Sequence, residues 1–219
     1  MSAYFLKHHQ NSMSLFVKFF VMRLDPYLGD VTGISSLMVD ESRTIAGLLL
    51  KDLSENQWTE AIEEQNVIQK SSIQTARRQA RCIAYRLRGL PFSGLEVIEN
   101  GTSKEVKQLL LLALLNHSTL ALDFFKYAVI EPQTVFKSEM PKRMWDSFLN
   151  QQYNENMSQL AESTLIKIRK NLISSFVEAG YLEDTKTLKY LNVFVEPIVY
   201  QVGDELGRTD ILKLMGGRV

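Results

Sequence analysis

The chain has 219 residues, 45% of them hydrophobic and 23% charged, with 25 basic side chains balanced by 25 acidic ones. That composition buries a proper core, as one large domain or two small ones, and zero net charge excludes bulk attraction to a polyanion: any nucleic-acid contact must come from charge segregated along the chain. A single cysteine, Cys82, excludes an internal disulfide and a cysteine-rich zinc site, and fits a reducing compartment.

Residues 13–24 are apolar, but Lys18 and Arg23 interrupt the run and no small-residue cleavage pattern follows, so they are not read as a signal peptide. Pro26, Gly29 and Gly33 punctuate a lead that forms a short helix or a strand before the domain proper. Regular patterning starts at Asp40, placed to cap a helix whose core positions are Ile45, Ala46, Leu48, Leu49 and Leu53. Ser54 and Gln57 have the spacing of a capping box for a second, short helix carrying Trp58, Ala61 and Ile62. Between Asp40 and Glu64 there are seven acidic residues against Arg43 and Lys51.

The next stretch, Lys70 to Arg88, reverses the sign, with six basic residues and no acidic one. Ile73, Ala76, Ala80, Ile83, Leu87 and Leu90 recur at helical spacing and mark an inward face. At about 100° per residue, Lys70, Arg77, Arg81 and Arg88 align on one flank, with Gln74, Arg78 and Tyr85 beside them and Arg86 well away. Two readings of this stripe compete. Charge runs commonly pair with acidic neighbours on a solvated surface. Alternatively the helix lies along nucleic acid, where Arg and Lys neutralise phosphates, Arg reads guanine and Gln reads adenine. Three helices with a short middle one and a long polar-faced third have the layout of a helix-turn-helix unit.

Leu90-Pro91 ends the basic helix, and Asn100-Gly101 marks a turn closing a small hairpin with Leu95, Val97 and Ile98. Thr102 and Glu105 repeat the capping-box spacing and open an almost wholly aliphatic helix over about 103–116. After Asn116-His117-Ser118 a second helix carries Leu120, Leu122, Phe124, Phe125, Tyr127 and Val129 to about Ile130. The two form a helical hairpin as central scaffold. Pro132 and Pro141 bracket a loop, Met144, Trp145 and Phe148 lie on a short helix, and 153–159 are turn-like. A long helix over about 161–179 turns Lys167, Lys170, Asn171 and Ser174 outward and has Gly180 as its C-cap. The β-formers of 188–195 then suggest a hairpin strand, so that short helix, long helix and hairpin follow the order of a winged helix or of a plain helix-plus-hairpin unit. A final helix over about 196–206 precedes the tail.

The residues of an enzyme are not recognisable. His8 and His9 lie in the lead and His117 at a helix break, where a capping or packed role fits better than ligation. Neither Gly203 to Gly207 nor Gly216-Gly217 has the strand-loop-helix setting of a phosphate cradle, and Glu60, Glu63 and Glu64 read as a solvated helix face. No enzyme activity, cofactor or metal is expected.

The order Thr32-Gly-Ile-Ser-Ser-Leu-Met-Val-Asp-Glu-Ser42, Ile45-Ala46, Trp58, Asn66 and the arginine helix, followed by Leu122-Asp-Phe-Phe125, Trp145-Asp-Ser-Phe148 and Val177-Glu-Ala-Gly-Tyr-Leu182, resembles the BrxA family of bacteriophage-exclusion (BREX) phage-defence systems. The resemblance spans roughly residues 30–200. It implies a cytoplasmic, mostly helical, non-catalytic DNA-binding protein acting with other BREX components, and the family's similarity to antitermination factors makes RNA an alternative partner.

The expected fold is therefore mainly α: a helical bundle with helix-turn-helix and winged-helix-like units and one or two small β-hairpins. Residues 1–35 are an N-terminal extension, 36–95 a helix-turn-helix-like domain, and 96–219 a helical domain with its winged-helix-like part at about 141–195. Duplex DNA is the expected partner, held through phosphates by two surfaces. One is formed by Lys70, Gln74, Arg77, Arg78, Arg81, Tyr85 and Arg88; the other by Lys167, Lys170 and Asn171 with a wing at Lys186 and Lys189. A protein adaptor whose arginine face meets an acidic partner is the alternative from a different class.

Overall fold

The computed structural model describes residues 25–217 except 34, 52, 153 and 154, and the side chains of 152, 155 and 156 also lie outside the description. The expectations for residues 1–24, including His8 and His9, therefore fall outside the described residues. The fold is mainly helical, as the patterning predicts.

Helix α1, Val39–Leu50, begins one residue before Asp40. Its N-cap is Met38 in a left-handed conformation without a side-chain cap, so Asp40 does not cap it and sits instead in the first turn with Glu41. There a carboxylate complements the helix dipole without bonding an end amide. Helix α2, Glu55–Thr59, carries the predicted capping box, with Ser54 accepting from the Gln57 amide and the Gln57 side chain accepting from the Ser54 amide. It runs on as a π-helical turn, Glu60–Glu64. Helix α3, Ile73–Leu87, is the basic helix, capped by Ser72.

The hairpin expected around Asn100-Gly101 is instead helix α4, Phe92–Asn100. Leu95 and Ile98, three apart, are buried on one side of it, a helical and not an alternating pattern. Arg43 of α1 donates to the carbonyls of Glu99 at 2.8 Å and Gly101 at 2.7 Å, satisfying the end of α4 from another helix. Val97 and the Asn-Gly pair are read locally as strand and turn, and this long-range cap decides otherwise.

Helix α5, Ser103–His117, has its predicted capping box at Thr102 and Glu105, and Leu109 to Leu115 are all buried. After Ser118 the chain turns into α6, Thr119–Phe125, a π-helical turn Lys126–Ile130 and α7, Glu131–Thr134. Beyond the 135–143 loop come α8, Met144–Gln152, the short α9, Glu155–Ser158, and α10, Glu162–Glu178. Phe124 is the hub of an aromatic core, with ring centroids 4.9 Å from Trp145, 5.1 Å from Phe148 and 6.0 Å from Phe176. Gly180 ends α10 as predicted: φ is +87°, and its amide and that of Tyr181 reach back to Val177 and Phe176.

Leu182 pairs with Tyr190 and Glu139 with Lys189 in two isolated antiparallel bridges; no longer strand occurs among the described residues. Helix α11, Pro197–Glu205, is followed by α12, Thr209–Met215, in what the sequence suggests is tail. Ile211, Leu212 and Met215 are buried, and burial sustains a seven-residue helix that propensity alone would not. The buried side chains from Leu28 to Met215 form one connected cluster.

Candidate nucleic-acid interface

Helix α3 separates its faces as the period requires. Ala76, Ala80, Ile83 and Leu87 are buried, whereas Ile73, in the first turn, is 53% exposed. Gln74, Arg77, Arg78 and Arg81 are exposed on the other side, with Tyr85 at their edge. The flank is not uniformly charged. Glu63 of the π-helical turn pairs with Arg77, and that hydrogen bond holds the Glu63 carboxyl below its ordinary range and raises the Arg77 guanidinium. Lys70 pairs with Glu41 of α1. Arg88 is half-buried, and loss of solvent pushes its pKa down. For Arg77 and Lys70, then, the surface-pairing reading holds; Arg78 and Arg81 are exposed.

Arg86, set apart from the stripe by the helical period, is 3% exposed. Its Nε and Nη2 donate to the two carboxylate oxygens of Asp30 at 2.8 and 3.1 Å, and Nη1 donates to the Ser36 carbonyl at 3.3 Å. Asp30 is fully buried, so the pair is removed from water and its bidentate geometry offsets the cost of that removal. It fastens the turns of residues 25–33 to α3. Gly33 lies against Cys82, whose sulfur a Cβ there would meet at 2.7 Å. The Cys82 thiol is buried and pushed up in pKa, chiefly by burial, which keeps it unreactive. At the other end of the segment, Gly29 takes a positive φ against His117 and Ser118, where a Cβ would come within 2.9 Å of the Ser118 Cβ. His117 packs edge-on to Tyr85 at 5.0 Å; its Nε2 is buried without a hydrogen-bond partner, and burial lowers its pKa. This is the packed role expected for it.

The same segment meets α10. The Thr32 carbonyl accepts from Lys167 Nζ and the Val31 carbonyl from Asn171 Nδ2, both at 3.4 Å, while the Leu37 amide donates to Glu178 at 3.3 Å. Lys167 and Lys170 are exposed. The two surfaces that sequence spacing treats as separate thus border one short stretch, residues 30–33.

Lys186 and Lys189 lie elsewhere. Lys189 pairs with Glu183 at 3.4 Å, and its backbone bridges to that of Glu139. Lys186 is exposed in a turn where its amide donates to Asp184.

Among the described residues no group of three or more His, Cys, Asp or Glu side chains is placed to hold a metal. No single helix among them is long and apolar enough to cross a membrane. The 103–117 and 119–134 segments pass that test only together, bent by 116°.

The sequence pattern of BrxA matches residues 27–202, which takes in the lead segment, α3 and all of α10. The chain belongs to the BrxA family. This BrxA-family chain is 34% identical over 194 residues to the BREX protein BrxA of Escherichia coli O9:H4 (strain HS), an alignment covering 88% of this chain and 91% of that protein. It is 36% identical over 169 residues to the BREX protein BrxA of Paramagnetospirillum magneticum (strain ATCC 700264 / AMB-1), covering 76% and 84%. A crystal structure of an uncharacterized protein from Magnetospirillum magneticum superposes with a TM-score of 0.77 at 29% identity, over 88% of this chain and all of that one. The BrxA pattern thus reaches back to Tyr27, within the turns that Arg86 fastens. Sequence reasoning did not assign the roles of Asp30 and Arg86. One signal was present: by the helical period Arg86 falls about 60° from Ile83, on the inward side, where an arginine requires an anion.

Proposed function

We propose that this BrxA-family chain is a non-catalytic, cytoplasmic, DNA-binding component of a BREX phage-defence system, working with other components of that system. The observation that carries the reading is the outward arc of α3, where Gln74, Arg78 and Arg81 are exposed on a helix that holds no acidic residue. Arginine and glutamine are the side chains that meet phosphates and base edges. Because Arg77 and Lys70 already have carboxylate partners, the arc offers less positive charge to a polyanion than the sequence counts, and the salt dependence it produces is correspondingly modest.

The test is a titration of Arg78→Ala/Arg81→Ala against the parent protein on random-sequence duplex at several salt concentrations. Phosphate contact predicts weaker binding to every sequence and a salt slope flatter by about one unit for each charge removed. Unchanged binding by a folded variant removes α3 from the interface, and preferential competition by structured RNA replaces the duplex as the partner.

A second reading, a protein adaptor, is favoured by a different observation. Val135, Phe136 and Leu191 are exposed, Phe136 to 96%, and Leu191 lines a cleft of about 290 Å³ with Ile130, Val193 and Met215. Exposed apolar surface of this kind marks association sites. Failure of the purified chain to bind DNA unaided would favour the adaptor.

A further inference from the structure

Residues 189–196 are held at both ends and unbonded in the middle. At the start, the Tyr190 amide donates to the Ser138 carbonyl and the Leu191 amide to the Tyr181 carbonyl, both at 3.0 Å, while the Lys189 carbonyl accepts from the Glu183 amide at 2.9 Å. At the end, the side-chain amide of Gln108, which is 1% exposed, brackets the backbone. Its Nε2 donates to the Phe194 carbonyl at 3.0 Å and its Oε1 accepts from the Glu196 amide at 2.8 Å. Between these anchors residues 191–196 run without helix, turn or bend, and the amides and carbonyls of Asn192 and Val193 have no hydrogen-bond partner among the described residues. A buried glutamine that fixes such a stretch gives it the form of a strand edge before any partner arrives.

This edge is one wall of the cleft that the π-helical turn, α7 and the end of α12 complete. No lining residue, from Ile130 and Gln133 through Leu191 and Asn192 to Met215, is charged. Among the described residues within two positions of the lining, Glu183 is paired with Lys189, which leaves Glu131 and Lys213, one of each sign. A polyanion therefore meets no net charge here, whereas an uncharged apolar side chain would leave water. Beside the cleft, the Phe136 amide donates to the Gln133 carbonyl at 3.0 Å. Phe136 itself is 96% exposed at a φ of +58°, a left-handed conformation that a bulky residue rarely takes. Exposed aromatic surface, local backbone strain and an unbonded main-chain edge thus gather in one place.

We infer that this cleft and the Asn192-Val193 edge take an extended, apolar strand of a partner protein, paired main chain to main chain, with an uncharged side chain in the cleft and Phe136 against the strand. The inference rests on the adaptor reading and gives it a surface and a form of partner. Main-chain pairing supplies affinity whatever the sequence, and the cleft selects apolar residues at alternate positions, because successive side chains of a strand point to opposite faces.

The probe is a displayed library of random heptapeptides selected on the purified full chain, with enriched sequences remade as synthetic peptides and measured by fluorescence anisotropy. Enriched peptides should carry apolar residues at alternate positions and bind without DNA. Methylating the amide nitrogens along one edge of the peptide should weaken binding by about tenfold or more, since it removes main-chain donors and leaves the side chains in place. Phe136→Ser, at a position too exposed to support the fold, should weaken binding severalfold. Leu191→Asp should weaken it further with the melting midpoint near that of the parent, and Arg78→Ala/Arg81→Ala should leave it unchanged.

Absence of enrichment over the Leu191→Asp chain overturns the groove, as does peptide binding that survives amide methylation or both substitutions. Dimerisation of the parent in sedimentation, abolished by Leu191→Asp, overturns it in favour of a second copy of this chain. Co-purification with the other BREX components tests the adaptor reading by itself. A component retained equally by the parent and Leu191→Asp chains upholds the adaptor and overturns the groove; a chain that retains none and enriches no peptide overturns both.

Discussion

Replacing Asp30 with alanine should be among the most damaging changes available to this chain outside its aromatic core. The carboxylate is fully buried and accepts two hydrogen bonds from a guanidinium that is itself almost inaccessible. Alanine leaves that guanidinium with one long bond to the Ser36 carbonyl and no counter-ion. Stranding one member of a buried ion pair costs about 3–5 kcal/mol. For a domain of this size each kcal/mol moves the melting midpoint by about 2–4 °C, so the expected drop is roughly 6–20 °C. The diagnostic measurement is a double-mutant cycle by urea unfolding, with Asp30→Ala, Arg86→Met and the pair together. Both single changes should be costly, and the double change should recover much of the loss, because an apolar pair leaves no charge unpaired. Single losses below about 1 kcal/mol, or additive losses in the double variant, would refute the claim that this pair is a dry, closed fastening.

Other expectations follow from the same structure. Gly203→Ala should destabilise by about 1–3 kcal/mol in thermal unfolding, since a Cβ would sit 2.4 Å from Leu212 Cδ2, where α11 and α12 touch. Glu63→Gln should free Arg77 and tighten duplex binding by severalfold, steepening the salt slope by about one; unchanged affinity would place Arg77 off the footprint. Acid titration of unfolding should show the carboxyls of Glu63, Glu105 and Asp184 contributing stability. All three are held below the ordinary range, by Arg77, the Thr102 amide and the amides of Thr187 and Lys186 respectively. That contribution is full above the ordinary carboxyl range and is lost as pH falls through the depressed values, and Glu105→Gln should remove its share. Asp123 has the opposite sign: burial raises its carboxyl, so Asp123→Asn should raise the melting midpoint at neutral pH and make no difference in acid.

What could be read locally was read from local interactions. The capping boxes at Ser54 and Thr102 bond within four residues, the glycine stop at Gly180 needs only its own backbone, and the leucines of 109–115 announce burial whatever surrounds them. The period of α3 likewise sorted its alanines and leucines from its arginines before any partner was known.

Where a side chain's fate depended on a distant segment, sequence named no partner. Arg43 converts an apparent turn into the capped end of α4 from more than fifty residues away, and Asp30 turns the one arginine off the stripe into a buried clasp. Glu63 and Glu41 neutralise two cations that composition counts as available. The meeting of α3 and α10 over residues 30–33 is the furthest of these, because it joins faces some ninety residues apart through a segment with no helix of its own. Periodicity specifies which face of a helix turns inward; which faces end up side by side is settled only when the whole core closes.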